Sequence, residues 1–318
     1  MKQKTLFILL MMTLLTACSG GQASTPIVTV QPTDVPLQSD PVLASDPQTF
    51  ATLTVTPVIT TASRTPKHPL EKDAWMQMPA VPTGVSDAMR DVYQNGLALG
   101  NDPAHFSVIG DCQNVTSYFL AVFEQPGEFS LGEEYAYLQS TIDHYQGSFS
   151  RVSVAVKGGF NAAAVISPLR ADPELCNSNE SPLDCELRIW KPSVVIVSME
   201  TWWSQKPEEE YARYMRRVLD RIIETGAVPI IATKADNLEG NHAINSTVAQ
   251  LAYEYDIPLW NYWAAVQPLP DHGLSKDGFH LTFGRNFFDD PKRMLNAWPW
   301  RNLTALQTLD VVRKSLTE

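Results

Sequence analysis

Three side chains stand where their types and spacing suit covalent chemistry. Cys112 follows Gly110-Asp111 directly after the apolar run Phe106-Ser107-Val108-Ile109, and Asp277 and His280 stand three residues apart in Asp277-Gly278-Phe279-His280. A thiolate attacks a carbonyl carbon, an imidazole takes up and returns the proton, and a carboxylate on one ring nitrogen fixes the tautomer. A separation of three lets the carboxylate and the imidazole share one turn. The run before Cys112 predicts a strand, then a tight Gly-Asp turn and the start of a helix. That helix N-terminus would offer N–H groups and partial positive charge to a thiolate and to a developing oxyanion. Each feature also has a structural reading: Cys112 as a small buried filler, and Asp277 with His280 as a turn and a cap. His272, five residues before Asp277, reads as a loop histidine.

The elements that must position these groups follow from periodicity. Helices are expected over 85–99, 131–144, 207–224, 243–255 and 302–316, and strands over 106–109, 152–156, 194–197, 228–232 and 258–261. Short apolar runs alternating with amphipathic helices predict a three-layer α/β/α sandwich around a parallel sheet covered on both faces. In such sheets ligands bind beyond the C-terminal strand ends. This places Glu200, Trp202 and Trp203, which follow the run at 194–197, at the rim of a pocket where indole rings could stack on sugar faces. Packing beneath the helix from Pro207 is the alternative. Glu208-Glu209-Glu210 suits a solvated first helical turn.

The N-terminus carries an address. Lys2 and Lys4 precede an apolar run over 6–15, too short to span a bilayer core of roughly 30 Å and fitting for a secretory signal. The run ends in Leu15-Thr16-Ala17-Cys18-Ser19-Gly20, which resembles the lipobox of bacterial lipoproteins. That resemblance implies cleavage before Cys18 and lipid on its thiol. Residues 1–18 are therefore expected to be a lipoprotein signal peptide. Residues 19–72, rich in Thr and Pro with almost no aromatics, are expected to form an extended tether, since they cannot bury enough apolar surface to offset ordering. About fifty flexible residues would reach some 40 Å. The remaining 73–318 form the expected domain, with 8 Trp, 12 Phe and 10 Tyr along the chain to supply a core. The net charge of -11 argues against nucleic acid as partner, because phosphate binding needs a basic surface. A monomer held to the cell envelope by lipid alone is the expectation.

The remaining cysteines divide by context. Cys176 and Cys185 flank a polar stretch and would close a small disulfide loop in an oxidising compartment, with free thiols as the rival reading. A metal site is poorly supported there, since no His lies nearby. Cys112 is then the odd thiol, buried and inert or reactive. A redox role would need a second Cys nearby to resolve it, and none is near in sequence.

The order of these blocks, over about residues 104–290, resembles the SGNH (GDSL-type) hydrolases. Gly110-Asp111-Cys112 is similar to the family's Gly-Asp-Ser block except at its third residue, and Asp277-Gly278-Phe279-His280-Leu281-Thr282 is similar to its Asp-x-x-His block. Residues 192–197 and 228–231 resemble the strands before its third block and at its fourth strand. The resemblance implies a mainly parallel, flavodoxin-like five-stranded sheet. It also implies an ester hydrolase or acyl transferase, with acylated cell-surface glycans as the expected substrate and no metal or organic cofactor. Cys112 would be the nucleophile, His280 the base and Asp277 its orienting acid. Gly159, in Gly158-Gly159-Phe160-Asn161, would give an oxyanion N–H with Asn161 as a substitute amide, and Asp111 would join Glu200 and Trp202 in contacting substrate. Two departures stand out: Cys112 replaces Ser, and Ser198-Met199-Glu200-Thr201 replaces the Gly-x-Asn-Asp block, so its Asn donor is missing. Losing one such donor costs on the order of a hundredfold in rate. A retained fold whose cleft binds glycan without catalysis is therefore the alternative function.

Overall fold

The computed structural model describes residues 68–71, 73–199 and 208–317. In chain order its strands are β1 (Asp102–Gly110), β2 (Phe129–Ser130), β3 (Pro192–Ser198), β4 (Val228–Ala232), β5 (Leu259–Trp260) and β6 (Asn286–Phe287). The helices are α1 (Asp87–Ala98), α2 (Gln139–His144), α3 (Ala162–Val165), α4 (Pro182–Trp190), α5 (Glu208–Glu224), α6 (Ala243–Tyr255), α7 (Tyr262–Val266) and α8 (Ala297–Thr317). Strands β1, β3, β4 and β5 lie side by side in that order, all parallel, with Phe106 opposite Val194, Val197 opposite Ile231 and Ala232 opposite Trp260.

Burial explains why β3 and β4 are central. Every residue of both strands is buried, so their Val and Ile side chains must be covered on both faces. Helix α5 supplies cover with a stripe of Tyr211, Met215, Val218, Leu219 and Ile222, spaced by threes and fours. It packs on α3, α4 and α6, while α8 packs on α1, α2 and α7, which gives one helical group to each face. The three-layer α/β sandwich is thus built as its sequence pattern predicts. Among the described residues no helix is long and apolar enough to cross a membrane.

The sheet has four strands, one fewer than expected. The stretch 152–156 turns instead of extending: Ser153 Oγ accepts from the Ala155 N–H at 3.1 Å and the Val156 N–H donates to the Ser153 carbonyl at 3.2 Å. A serine that bonds its own backbone in this way competes with ladder pairing. Only Val156 bridges Gly110, in parallel, so the flavodoxin-like order survives with its second member reduced to one bridge. Neighbours diverge on either side of β1, which makes its C-terminal end the switch point where a cleft forms. The helix expected over 131–144 is likewise confined to α2.

Candidate active site

At that switch point the chain leaves β1 through Gly110-Asp111-Cys112. Asp111 is extended and its Oδ1 accepts from the Gln113 N–H at 3.1 Å, starting a 3-10 turn over Cys112–Asn114. The turn stops there, because Val115 returns to extended backbone (φ -64°, ψ 135°). The helix expected to start after the Gly-Asp turn is therefore only this three-residue turn, and most of the dipole that would favour a thiolate is missing. Cys112 is half-buried. Asp111, expected at the substrate, is only 1% exposed, and the bonds its Oδ1 accepts from the Gln113 N–H and Asn114 Nδ2 serve the turn itself.

The turn is held by a buried network. Asn114 Nδ2 donates to the Ser198 carbonyl at 2.8 Å, joining the ends of β1 and β3. The Arg301 guanidinium on α8 donates through Nη2 to Asn114 Oδ1 at 3.1 Å and Ser198 Oγ at 2.9 Å. Arg301 is fully buried, with its guanidinium 4.9 to 5.2 Å from the rings of Phe119, Tyr262 and Trp260. Gly110 is required here, since a Cβ on it would lie 2.3 Å from Asn114 Nδ2.

Asp277 and His280 meet as their spacing suggests. Asp277 Oδ1 accepts from the Phe279 and His280 N–H groups at 3.0 Å each, and Oδ2 pairs with His280 Nδ1 at 2.6 Å. The bond from His280, then those from the two backbone N–H groups, hold the Asp277 carboxyl down to about 2. Gly278 takes the left-handed conformation the turn needs (φ +69°). The loop is closed by an antiparallel bridge between Leu274 and Leu281 and by the Ser275 N–H donating to the His280 carbonyl at 2.7 Å. With Nδ1 engaged, Nε2 is the nitrogen left for proton transfer; both side chains are more than half exposed.

Helix α8 ties these two parts together. The Ala297 N–H donates to Thr282 Oγ1 at 2.9 Å and the Trp298 N–H to the Thr282 carbonyl at 3.2 Å, so the His280 loop is fixed to the first turn of the helix. One turn later Arg301 reaches Asn114, two residues after Cys112.

The Gly-Gly segment also lies beside the thiol. A Cβ placed on Gly158 would come 3.9 Å from Cys112 Cβ, whereas one on Gly159 would meet nothing within 4 Å. Gly159 has φ +82°, which a side chain would strain. Asn161 is buried and caps α3, its Oδ1 accepting from the Ala163 and Ala164 N–H groups at 3.1 and 2.9 Å. Its amide oxygen is thus committed, and only its NH2 could serve an oxyanion. Cys18, Glu200, Trp202 and Trp203 lie outside the described residues. Cys176 and Cys185 form a disulfide with their Cα atoms 5.3 Å apart. Their sulfurs and Glu180 form a compact trio, but both sulfurs are spent in the bond and Glu180 pairs with Arg188.

Sequence reasoning missed two charged groups at this edge. One is Arg301. The other is Lys234, just beyond β4, whose Nζ lies 2.6 Å from both Asp236 Oδ1 and Glu239 Oε2. Burial works against its charge, but the two carboxylates prevail and hold it above the ordinary lysine value. Two opposite charges directly after a buried strand, in Thr233-Lys234-Ala235-Asp236, were the available signal.

The fold and the site together define a mainly parallel α/β domain with a thiol, an imidazole–carboxylate pair and a glycine turn on loops beyond its strands. No protein-family profile and no curated protein matches the chain. Among solved structures it is similar to a protein from Desulfitobacterium hafniense DCB-2 assigned to the G-D-S-L family of lipolytic proteins. That similarity has 13% identity and a TM-score of 0.40, and covers 64% of this chain and 99% of that one.

Proposed function

We propose that the chain is an extracytoplasmic, lipid-anchored ester hydrolase or acyl transferase of SGNH-like design. Cys18 carries the lipid, residues 19–72 serve as the tether, and an acylated cell-surface glycan is the substrate. The observation that carries this reading is the 2.6 Å pairing of Asp277 with His280 Nδ1, which orients the ring and leaves Nε2 to act. In the proposed reaction the Cys112 sulfur attacks the ester carbonyl as its proton passes to His280. The N–H groups of Gly158 or Gly159 and the Asn161 amide hold the oxyanion. Collapse breaks the ester C–O bond as His280 protonates the leaving alkoxide. Water, or an acceptor hydroxyl deprotonated by His280, then releases the thioester.

The test is p-nitrophenyl acetate with the full chain in detergent. A burst of nitrophenolate should match one acetyl group on Cys112, and both should vanish in Cys112→Ala and His280→Ala. Iodoacetamide should block the burst. Absence of any acetylated Cys112 would end the catalytic account. One observation favours a second reading, a non-catalytic glycan-binding module: Cys112 opens a three-residue turn and gains little from a helix dipole.

A further inference from the structure

We propose that the cleft between Tyr118, Phe283 and Trp298 is a subsite for a neutral sugar ring. It deepens the acylated-glycan reading above, yet the sugar contact itself needs no catalysis. The cleft holds about 250 Å³ and is also lined by Glu128, Arg285 and Asn286. Tyr118 and Trp298 are stacked, their centroids 5.5 Å apart at 28°. Tyr118 is 54% and Phe283 69% exposed, so large aromatic surface is left to water at one place. Aromatic faces of this kind attract the C–H faces of sugars, while amides and charged groups at the rim can serve the hydroxyls.

The walls are fixed before any ligand arrives. The buried Asn302 side chain on α8 donates through Nδ2 to the Tyr118 carbonyl at 3.2 Å and to Asn286 Oδ1 at 2.9 Å, and its Oδ1 accepts from the Leu120 N–H at 2.7 Å. This leaves the Asn286 NH2 for a ligand. Trp298 is fastened to Thr282 as described. A platform set in this way loses little freedom on binding. Charge selects the ligand class: Arg285 and Glu128 stand 3.6 Å apart and offset each other, so the cleft has no net charge to favour an anionic sugar. Position links it to the chemistry. Phe283 is three residues beyond His280 and Tyr118 six beyond Cys112, so the platform is built from both segments that carry the reacting groups.

The experiment is saturation-transfer NMR and tryptophan fluorescence on the full chain in detergent, with cellotetraose and chitotetraose as neutral probes and an oligogalacturonate as the anionic one. At least one neutral probe should bind, and the oligogalacturonate should bind more weakly. Tyr118→Ala and Phe283→Ala, both at exposed positions, should each weaken binding roughly three- to tenfold. Cys112→Ala should leave sugar binding intact, so that failure of the ester chemistry and failure of the subsite are read separately. No binding of either neutral probe, or binding unchanged in the Tyr118 and Phe283 variants, would overturn the proposal.

Discussion

The link between Asn114, Ser198 and Arg301 can be tested by replacing Asn114 with Ala. The substitution removes the bond to the Ser198 carbonyl at 2.8 Å and the acceptor for Arg301 Nη2 at 3.1 Å. A neutral hydrogen bond contributes about 0.5–1.5 kcal/mol and one to a charged group about 1.5–3 kcal/mol, so the expected loss is about 2–4 kcal/mol. For a domain of this size that lowers Tm by roughly 5–15 °C. Urea unfolding followed by circular dichroism gives the stability directly. A cycle combining Asn114→Ala with Arg301→Met should show a coupling of about 0.5–3 kcal/mol. Because the network also fixes the turn bearing Cys112, iodoacetamide should alkylate that thiol at a changed rate in the folded variant. A stability loss below about 1 kcal/mol with zero coupling would refute the idea that these three residues hold the strand ends together.

Other outcomes follow from the same structure. Asp277 has its folded-state value depressed to about 2 from an ordinary 3.8, so its contribution is present above pH 4 and is lost as pH falls from about 4 to 2. Carboxyl NMR should find it ionised through most of that window, and Asp277→Asn should flatten this part of the stability profile. Lys234→Met strands two buried or half-buried carboxylates and should cost about 3–5 kcal/mol in urea unfolding; a loss under about 1 kcal/mol would mean the trio relaxes freely. Reduction of Cys176–Cys185, which closes a loop with a separation of 9, should cost about 2–3 kcal/mol by chain entropy, read as the difference between melts with and without dithiothreitol.

How much was legible in the sequence depended on whether a signal was local. Helix α6 falls on the expected 243–255, and α5 begins one residue from its expected start, because both keep a 3.6-residue apolar stripe. Residues 176–185 read as polar loop around two cysteines, yet Ser181 begins α4 with a full capping box: its Oγ accepts from the Asp184 N–H at 3.1 Å and Asp184 accepts in return, with Pro182 in the first turn. That Ser-Pro-x-Asp pattern was present and was masked by its polar company. The turn after Cys112 misled in the opposite sense, because Asp111 caps only one turn before Val115 extends. Asp277 and His280 were readable from a separation of three. Arg301 was not: its burial under three rings from two distant segments is a tertiary fact, invisible in a helix that is mostly buried.

The missing fifth strand has one more consequence. Without a full partner on its outer side, β1 would present open backbone groups to any passing chain. At Phe106 both are closed by side chains: the N–H donates to Ser148 Oγ at 3.3 Å and the carbonyl accepts from Trp190 Nε1 at 2.9 Å. Trp190 is itself clamped, stacked on His105 with centroids 3.9 Å apart and covered by the Arg151 guanidinium at 4.4 Å. At this residue two side chains thus do the work of a neighbouring strand and oppose intermolecular β-pairing along this margin.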